Sequence, residues 1–212
     1  MNSIAARYPT ALLRSYARIK IATDPVYNAV FELLRGSTTP LLDVGCGIGI
    51  LPFYLRERGF TAAITGVDHD KRKIEIAQGV AKSESNLSFH LADARTSFDF
   101  RGNVVLLDVL HYFSDADQAT ILRHAAAAGG SIIIRDAIRD GSLRYRMTYA
   151  QEMLARIGGW LQAERLHFPT REDIERSLNG NFREEVLPMF GHTPFNNYLF
   201  VFRRSSEGTT KL

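Results

Sequence analysis

Leu41-Leu42-Asp43-Val44-Gly45-Cys46-Gly47-Ile48-Gly49 is the stretch on which the reading of this 212-residue chain turns. A short apolar run of strand character empties into glycines at alternate positions, and Leu51, Phe53, Tyr54 and Leu55 follow at helical spacing until Gly59. The unit is strand, glycine turn, helix. Glycine carries no side chain to hold a ligand off, so backbone amides in such a turn can approach one closely.

Outward from this unit the pattern repeats. Ala62 to Asp68 reads as a second strand, Lys71 to Ser83 as a charged helix and Leu87 to Leu91 as a third strand ending near Asp93. Asn103 to Leu107 is a fourth strand, Ser114 to Ala127 a helix, and Ser131 to Ile134 a fifth strand. Strands alternating with helices imply a mostly parallel α/β sheet covered on both faces. Upstream, Ala11, Leu12, Ser15, Tyr16 and Ile19 form one helical stripe, Asp24-Pro25 breaks it, and Val30, Phe31, Leu33 and Leu34 mark a second helix. Past Arg139 the reading gives an Arg- and Tyr-bearing helix to Leu161 and another helix opened by Thr170. Two strands, Glu184 to Met189 and Tyr198 to Arg203, then pair as an antiparallel edge hairpin. The expected division is an N-terminal helical lid over 1–36, one domain over 37–204 with an insertion near 139–182, and a mobile tail over 205–212.

Composition excludes several classes. With 45% apolar and 23% charged residues and only 7 prolines, the chain is neither disordered nor collagenous. Its apolar runs fall far short of the roughly 20 residues that cross a bilayer. The one cysteine, Cys46, cannot form an internal bridge, which makes a reducing cytoplasm the expected location. The first 23 residues hold Arg7, Arg14, Arg18 and Lys20 without an acid until Asp24, so a transit peptide is the alternative reading of that segment. Net charge is +3. Residues 1–36 carry five basic and two acidic groups, 37–138 ten and twelve, and 139–212 eleven and nine. The surplus sits at the ends, and no basic run interleaved with aromatics indicates a nucleic-acid partner. A small acid, an acidic carrier protein or an anionic lipid surface would suit these flanks, as would a plain solvated face. His69, His90, His111, His124, His167 and His192 show no metal-ligand spacing, so no metal is expected.

The glycine turn alone fits dinucleotide oxidoreductases as well as other nucleotide folds. Three acids at strand ends narrow the choice. Asp43, just before the turn, would repel a pyrophosphate and attract an ammonium group. Asp68 ends the second strand about 20 residues on, where a carboxylate accepts from both ribose hydroxyls. Asp93 ends the third, beside small Ala94, placed to accept from an adenine amine. Ammonium, ribose and adenine in that order describe S-adenosylmethionine. Singly, each acid could instead cap a helix, start a turn or close a strand.

In this ordered set the sequence resembles the class I S-adenosylmethionine-dependent methyltransferases, through Leu41 to Gly49, Asp68, Asp93-Ala94 and Asn103 to Phe113. The likeness covers about half the chain. It implies a Rossmann-like seven-stranded sheet of order 3-2-1-4-5-7-6, and a cofactor site at Asp43, Gly45, Cys46, Gly47, Gly49, Asp68, His69, Asp93, Ala94 and Asp108, closed by Tyr16. It also implies that the residues after strand four face the acceptor. His111 is then the candidate base or orienter and Tyr112 its neighbour on the pocket wall; a helix-capping histidine is the ordinary alternative. Arg144, Tyr145, Tyr149, His192 and Asn196 are candidate acceptor contacts, against the alternative of a wet helix face. The flanks Arg14 to Arg18 and Thr193 to Tyr198 also look like those of small bacterial methyltransferases found beside aryl-polyene and polyketide-lipid genes. The implied acceptor is small, aromatic or acyl, free or presented by an acyl carrier protein. A nicotinamide oxidoreductase and a cofactor-binding module without chemistry are the competing readings.

Overall fold

A computed structural model describes residues 2–82, 84–157, 166–178, 182–191 and 193–204. Its elements run α1 (Asn2–Ala6), α2 (Ala11–Thr23), α3 (Val26–Leu34), β1 (Leu41–Val44), α4 (Ile50–Glu57), β2 (Ile64–Asp68), α5 (Lys71–Ala81), β3 (Leu87–Leu91) and β4 (Gly102–Leu107). A 3-10 turn over Leu110–Tyr112 leads to α6 (Asp115–Ala127), β5 (Gly129–Ala137), α7 (Leu143–Ile157), α8 (Arg171–Ser177), β6 (Phe182–Pro188) and β7 (Asn197–Arg204). One seven-stranded sheet has the order β3-β2-β1-β4-β5-β7-β6, the order the sequence implied. β1 to β5 run parallel, and β7 runs antiparallel to both β5 and β6.

The central strands are apolar along their length because helices cover both faces. Alternate residues go to opposite sides, as the period of a strand requires. Leu41, Val105, Ile133, Leu199 and Val201 join one core cluster with α1, α3, α4 and α5. Leu42, Val104, Leu106, Ile132, Ile134, Phe200 and Phe202 join the other with α6 and α8. The N-terminal helices belong to the first of these cores, since Ile4, Tyr8, Ala17, Ile21 and Val26 are buried in it.

Departures from the sequence reading have local causes. β5 runs three residues past Ile134, because β7 extends the ladder through Asp136 opposite Tyr198 and Ala137 opposite Asn197. On α2 the buried face is Ala17 and Ile21, whereas Leu12 and Ile19 of the anticipated stripe are exposed. The helix is apolar on more than one side, and packing selected the face with the smaller residue. The expected continuation of α7 to Leu161, His192 and the tail over 205–212 lie outside the described residues.

Candidate active site

The carboxyl ends of β1, β2 and β4 open onto a cavity of 610 Å³ that reaches from α2 to α7, within the range of small-molecule sites. Gly45 and Gly47 form its floor, and Gly49 lies just off the lining against Phe53 and Phe89; their φ values are 74°, 55° and 82°. At Gly45 a Cβ would stand 2.4 Å from Val109 Cγ2, so only glycine lets the turn pass beneath the loop after β4. Side chains cap α5, α6 and α8. No side chain caps α4, whose cap position is Gly49, so its first amides remain open at the turn.

Asp43 is buried, lies opposite Gly66 on β2 and Val105 on β4, and lines the cavity. Among the described residues no group donates a hydrogen bond to its carboxylate. Burial, and secondarily the charge of Asp68, raise its pKa to about 7. A buried carboxylate with no protein donor beside a cavity is what an incoming ammonium group would satisfy. Asp68 differs. Its Oδ2 accepts from the Gly47 amide at 2.9 Å and its Oδ1 from the Asp70 amide at 2.8 Å. Those bonds orient the group and leave acceptor capacity on both oxygens. His69 stands beside Asp68 on the cavity rim, 65% exposed.

Not every anticipated contact reaches this space. Ala92 and Ala94 form the wall after β3, while Asp93 is bound by Arg95 and lies off the lining. That hydrogen-bonded pair holds the Asp93 carboxyl below its usual range. Cys46 lines the cavity as a half-buried thiol whose pKa burial pushes up. Asp108 adopts φ 57° and meets Arg135 at 2.7 Å and Lys20 at 3.8 Å. Tyr16 and Lys20 of α2 form the adjoining wall.

His111 is buried, its Nδ1 2.6 Å from Asp136 Oδ1. Asp136 also accepts from the Leu110 and Ala137 amides, at 2.9 and 2.8 Å. Burial works against charge on the imidazole, but the Asp136 carboxylate outweighs it and the His111 pKa rises. With Asp136 accepting at Nδ1, the proton of the neutral ring is assigned there and Nε2 keeps its lone pair. Nε2 is buried and without a partner among the described residues. Phe168 stacks on the ring at 5.1 Å and Tyr112 approaches to 4.0 Å. Tyr112 and Phe113 line the cavity; His111 lies behind them.

The candidate acceptor contacts scatter. Tyr145 and Tyr149 surround Phe168, Arg144 donates to the Thr193 carbonyl and covers Phe190, and buried Asn196 donates to the Ile138 carbonyl. From α7 it is Gln151 and Glu152 that reach the cavity. Burial raises the Glu152 pKa, partly offset by His111. Sequence reading missed Asp136, Arg135 and Glu152. Asp136 carried a signal, an acid closing an apolar strand as Asp43 and Asp68 do, but the strand was ended at Ile134.

Comparison with known proteins bears on this geometry. Residues 41–128 match the family model of the methyltransferase domain. The matched stretch is under half of the chain. The 2-heptyl-1-hydroxyquinolin-4(1H)-one methyltransferase of Mycobacteroides abscessus is 33% identical over 103 residues, 44% of each chain. The match therefore spans less than half of that relative's length. Among solved structures, the magnesium protoporphyrin IX methyltransferase of Synechocystis PCC 6803 with bound S-adenosylhomocysteine has a TM-score of 0.66 at 20% identity, over 93% of this chain and 89% of that one. The N-methyltransferase NodS of Bradyrhizobium japonicum WM9, also with S-adenosylhomocysteine, has a TM-score of 0.63 at 19% identity, over 85% and 86%. These likenesses establish the fold.

Proposed function

We propose that the protein transfers the methyl group of S-adenosylmethionine to a small aromatic or acyl acceptor, free or held on an acyl carrier protein. Asp43, a buried carboxylate without a donor at the edge of the cavity, is the observation that carries this reading. Asp43 takes the ammonium group, Asp68 the ribose hydroxyls, and the Ala92–Ala94 wall the adenine. Gly45, Cys46, Gly47 and Gly49 pass beneath, His69 and Asp108 flank, and Tyr16 on the N-terminal helices closes the cavity as a lid.

When bound, S-adenosylmethionine supplies an electrophilic methyl group whose departure leaves a neutral thioether, so the chain's main task is alignment and exclusion of water. Asp136 fixes the His111 tautomer, and Nε2 takes the proton of an acceptor hydroxyl. Tyr112 and Phe168 pack on the His111 ring and Nε2 is buried, so an acceptor reaches it only when neighbouring side chains move. The relative named for a hydroxyquinolone supports an aromatic hydroxyl as the acceptor group.

Calorimetric titration with S-adenosylmethionine tests the first half: micromolar binding is expected, weakened about a hundredfold or more in Asp68→Ala as charge-assisted hydrogen bonds are lost. No binding would overturn the proposal. Mass spectrometry for the gain of one CH₂ across phenols, N-hydroxyquinolones, carboxylic acids and carrier-bound acyl chains tests the second. His111→Ala and Asp136→Asn should then lower turnover by about 10²-fold or more with cofactor affinity retained. Unchanged turnover removes the pair from the chemistry, and binding without turnover on any acceptor leaves a cofactor-binding module.

A further inference from the structure

We infer that α2 and α7 form a docking face for an anionic lipid bilayer, beside the mouth of the cavity. This goes beyond the proposed reaction and does not rest on it. The two helices border one opening, α2 through Leu13, Tyr16 and Lys20 and α7 through Gln151 and Glu152. On their outer sides each carries large apolar residues in solvent. Leu12 and Ile19, two turns apart on α2, are 67% and 61% exposed, and Leu143 and Leu154, three turns apart on α7, are 72% and 69% exposed. Met147, one turn beyond Leu143, is exposed on the same stripe.

On the outer sides of the two helices the charge has one sign. α2 contains no acid, and the only acid of α7, Glu152, faces the cavity. Arg14 donates to the carbonyls of Tyr8 and Pro9, and Arg144 to that of Thr193. Among the described residues neither these two nor Arg18 and Arg146 has a carboxylate in ion-pair range. Arg14 lies toward the buried side of α2, but Arg18, Arg144 and Arg146 stand exposed on the two helices, and apolar side chains projecting beside such arginines match an interfacial helix whose leucines enter the acyl boundary and whose cations meet acidic headgroups. A protein partner of helical form would need a groove to receive it, and these residues project outward instead of lining one. A second copy of the chain would set three arginines against three.

Sedimentation with vesicles tests this on the full chain. The protein should pellet with an equimolar mixture of phosphatidylglycerol and phosphatidylcholine, stay in solution with phosphatidylcholine alone, and be released as salt rises to about 0.5 M. Leu12→Ser with Ile19→Ser, and separately Leu143→Ser with Leu154→Ser, should each weaken binding about tenfold or more, equivalent to about 1.4 kcal/mol. Arg18→Gln with Arg146→Gln should weaken it and flatten its salt dependence. All six positions lie outside the cavity lining, so circular dichroism and cofactor titration should be unchanged, and the separate pairs keep the test open if one variant fails to fold. Absence of binding to the anionic vesicles overturns the inference, and so does binding that survives both apolar pairs. A dimer by ultracentrifugation that the apolar substitutions dissociate would assign the face to a second copy. Capture of a purified acyl carrier protein by the same residues, with no vesicle binding, would assign it to an acidic protein.

Discussion

The carboxyl of Asp43 is held near 7 by burial, and to a lesser degree by Asp68, so its proton is shared between folding and binding. In the unfolded chain the same group titrates near 4. Between about pH 4 and pH 7 the folded state therefore holds the extra proton, and stability from this site falls as pH climbs through that window. Above about pH 7 the folded protein bears the full cost of a buried charge, on the order of a few kcal/mol. Asp43→Asn should accordingly melt higher than the parent at pH 8, with a flatter pH dependence, while its S-adenosylmethionine affinity drops about tenfold or more. Affinity of the parent should rise from pH 6 to pH 8 as the carboxylate becomes available to the ammonium group. Melting curves and calorimetry across that range decide it, and an Asp43→Asn variant no more stable than the parent at pH 8 would remove the buried charge from the account. At this scale the sequence was readable where an acid follows an apolar strand and stands without a nearby cation. Asp43 satisfies that condition, and beside Asp68 the nearest arginine, Arg72, is taken by Asp70. Asp93 has Arg95 two residues away, and a local pair of that kind turns a carboxylate from the cavity without changing the strand pattern.

Among the elements, the β1–α4 turn sets how close a ligand comes to the backbone. Gly45 and Gly47 both adopt left-handed φ, but a Cβ at Gly45 meets Val109 at 2.4 Å whereas one at Gly47 meets open space. Gly47→Ala should thus cost only the conformational strain, about 1–2 kcal/mol. Gly45→Ala should cost that and also push Val109, the residue before the 3-10 turn that carries His111. Expected from Gly45→Ala are a clearly larger fall in melting temperature than from Gly47→Ala and a loss of turnover even at saturating cofactor. Equal effects from the two substitutions would count against the steric argument. Elements whose apolar residues follow one period were legible: β1 to β4 and α6 lie within a residue or two of their expected bounds. Where tertiary pairing decides, the sequence was silent. β5 extends through Arg135, which pairs with β4 and β7, and on through Asp136-Ala137 where β7 alone supplies the ladder, and that extension carries both an arginine and an aspartate into the site. The 3-10 turn at His111 is short and has no period to detect.

Over the whole molecule, one buried cation joins the N-terminal helices to the sheet. Arg135 on β5 reaches Asp24, between α2 and α3, at 2.8 Å and Asp108, after β4, at 2.7 Å. Lys20 on α2 lies 3.4 Å from Asp24 and 3.8 Å from Asp108. Glycine and strand motifs made the central sheet legible, but a bridge between residues 24, 108 and 135 depends on three distant segments meeting, and no local spacing announces it. The segment 1–36, which reads as a separate lid, shares its core with β1 and β4. Removing the arginine would leave two carboxylates facing one lysine at the end of the cavity. Breaking a buried ion pair from one side costs about 3–5 kcal/mol. Arg135→Met should therefore unfold at markedly lower urea. It should also expose residues 1–36 to protease before the sheet, because α2 then keeps only its apolar packing and the 3.8 Å contact of Lys20 with Asp108. The second substitution Asp24→Asn, made in the Arg135→Met background, should recover part of the stability by removing one unpaired charge. If the double variant is no more stable than Arg135→Met, the charges of this cluster are solvated independently and do not bind the helices to the sheet.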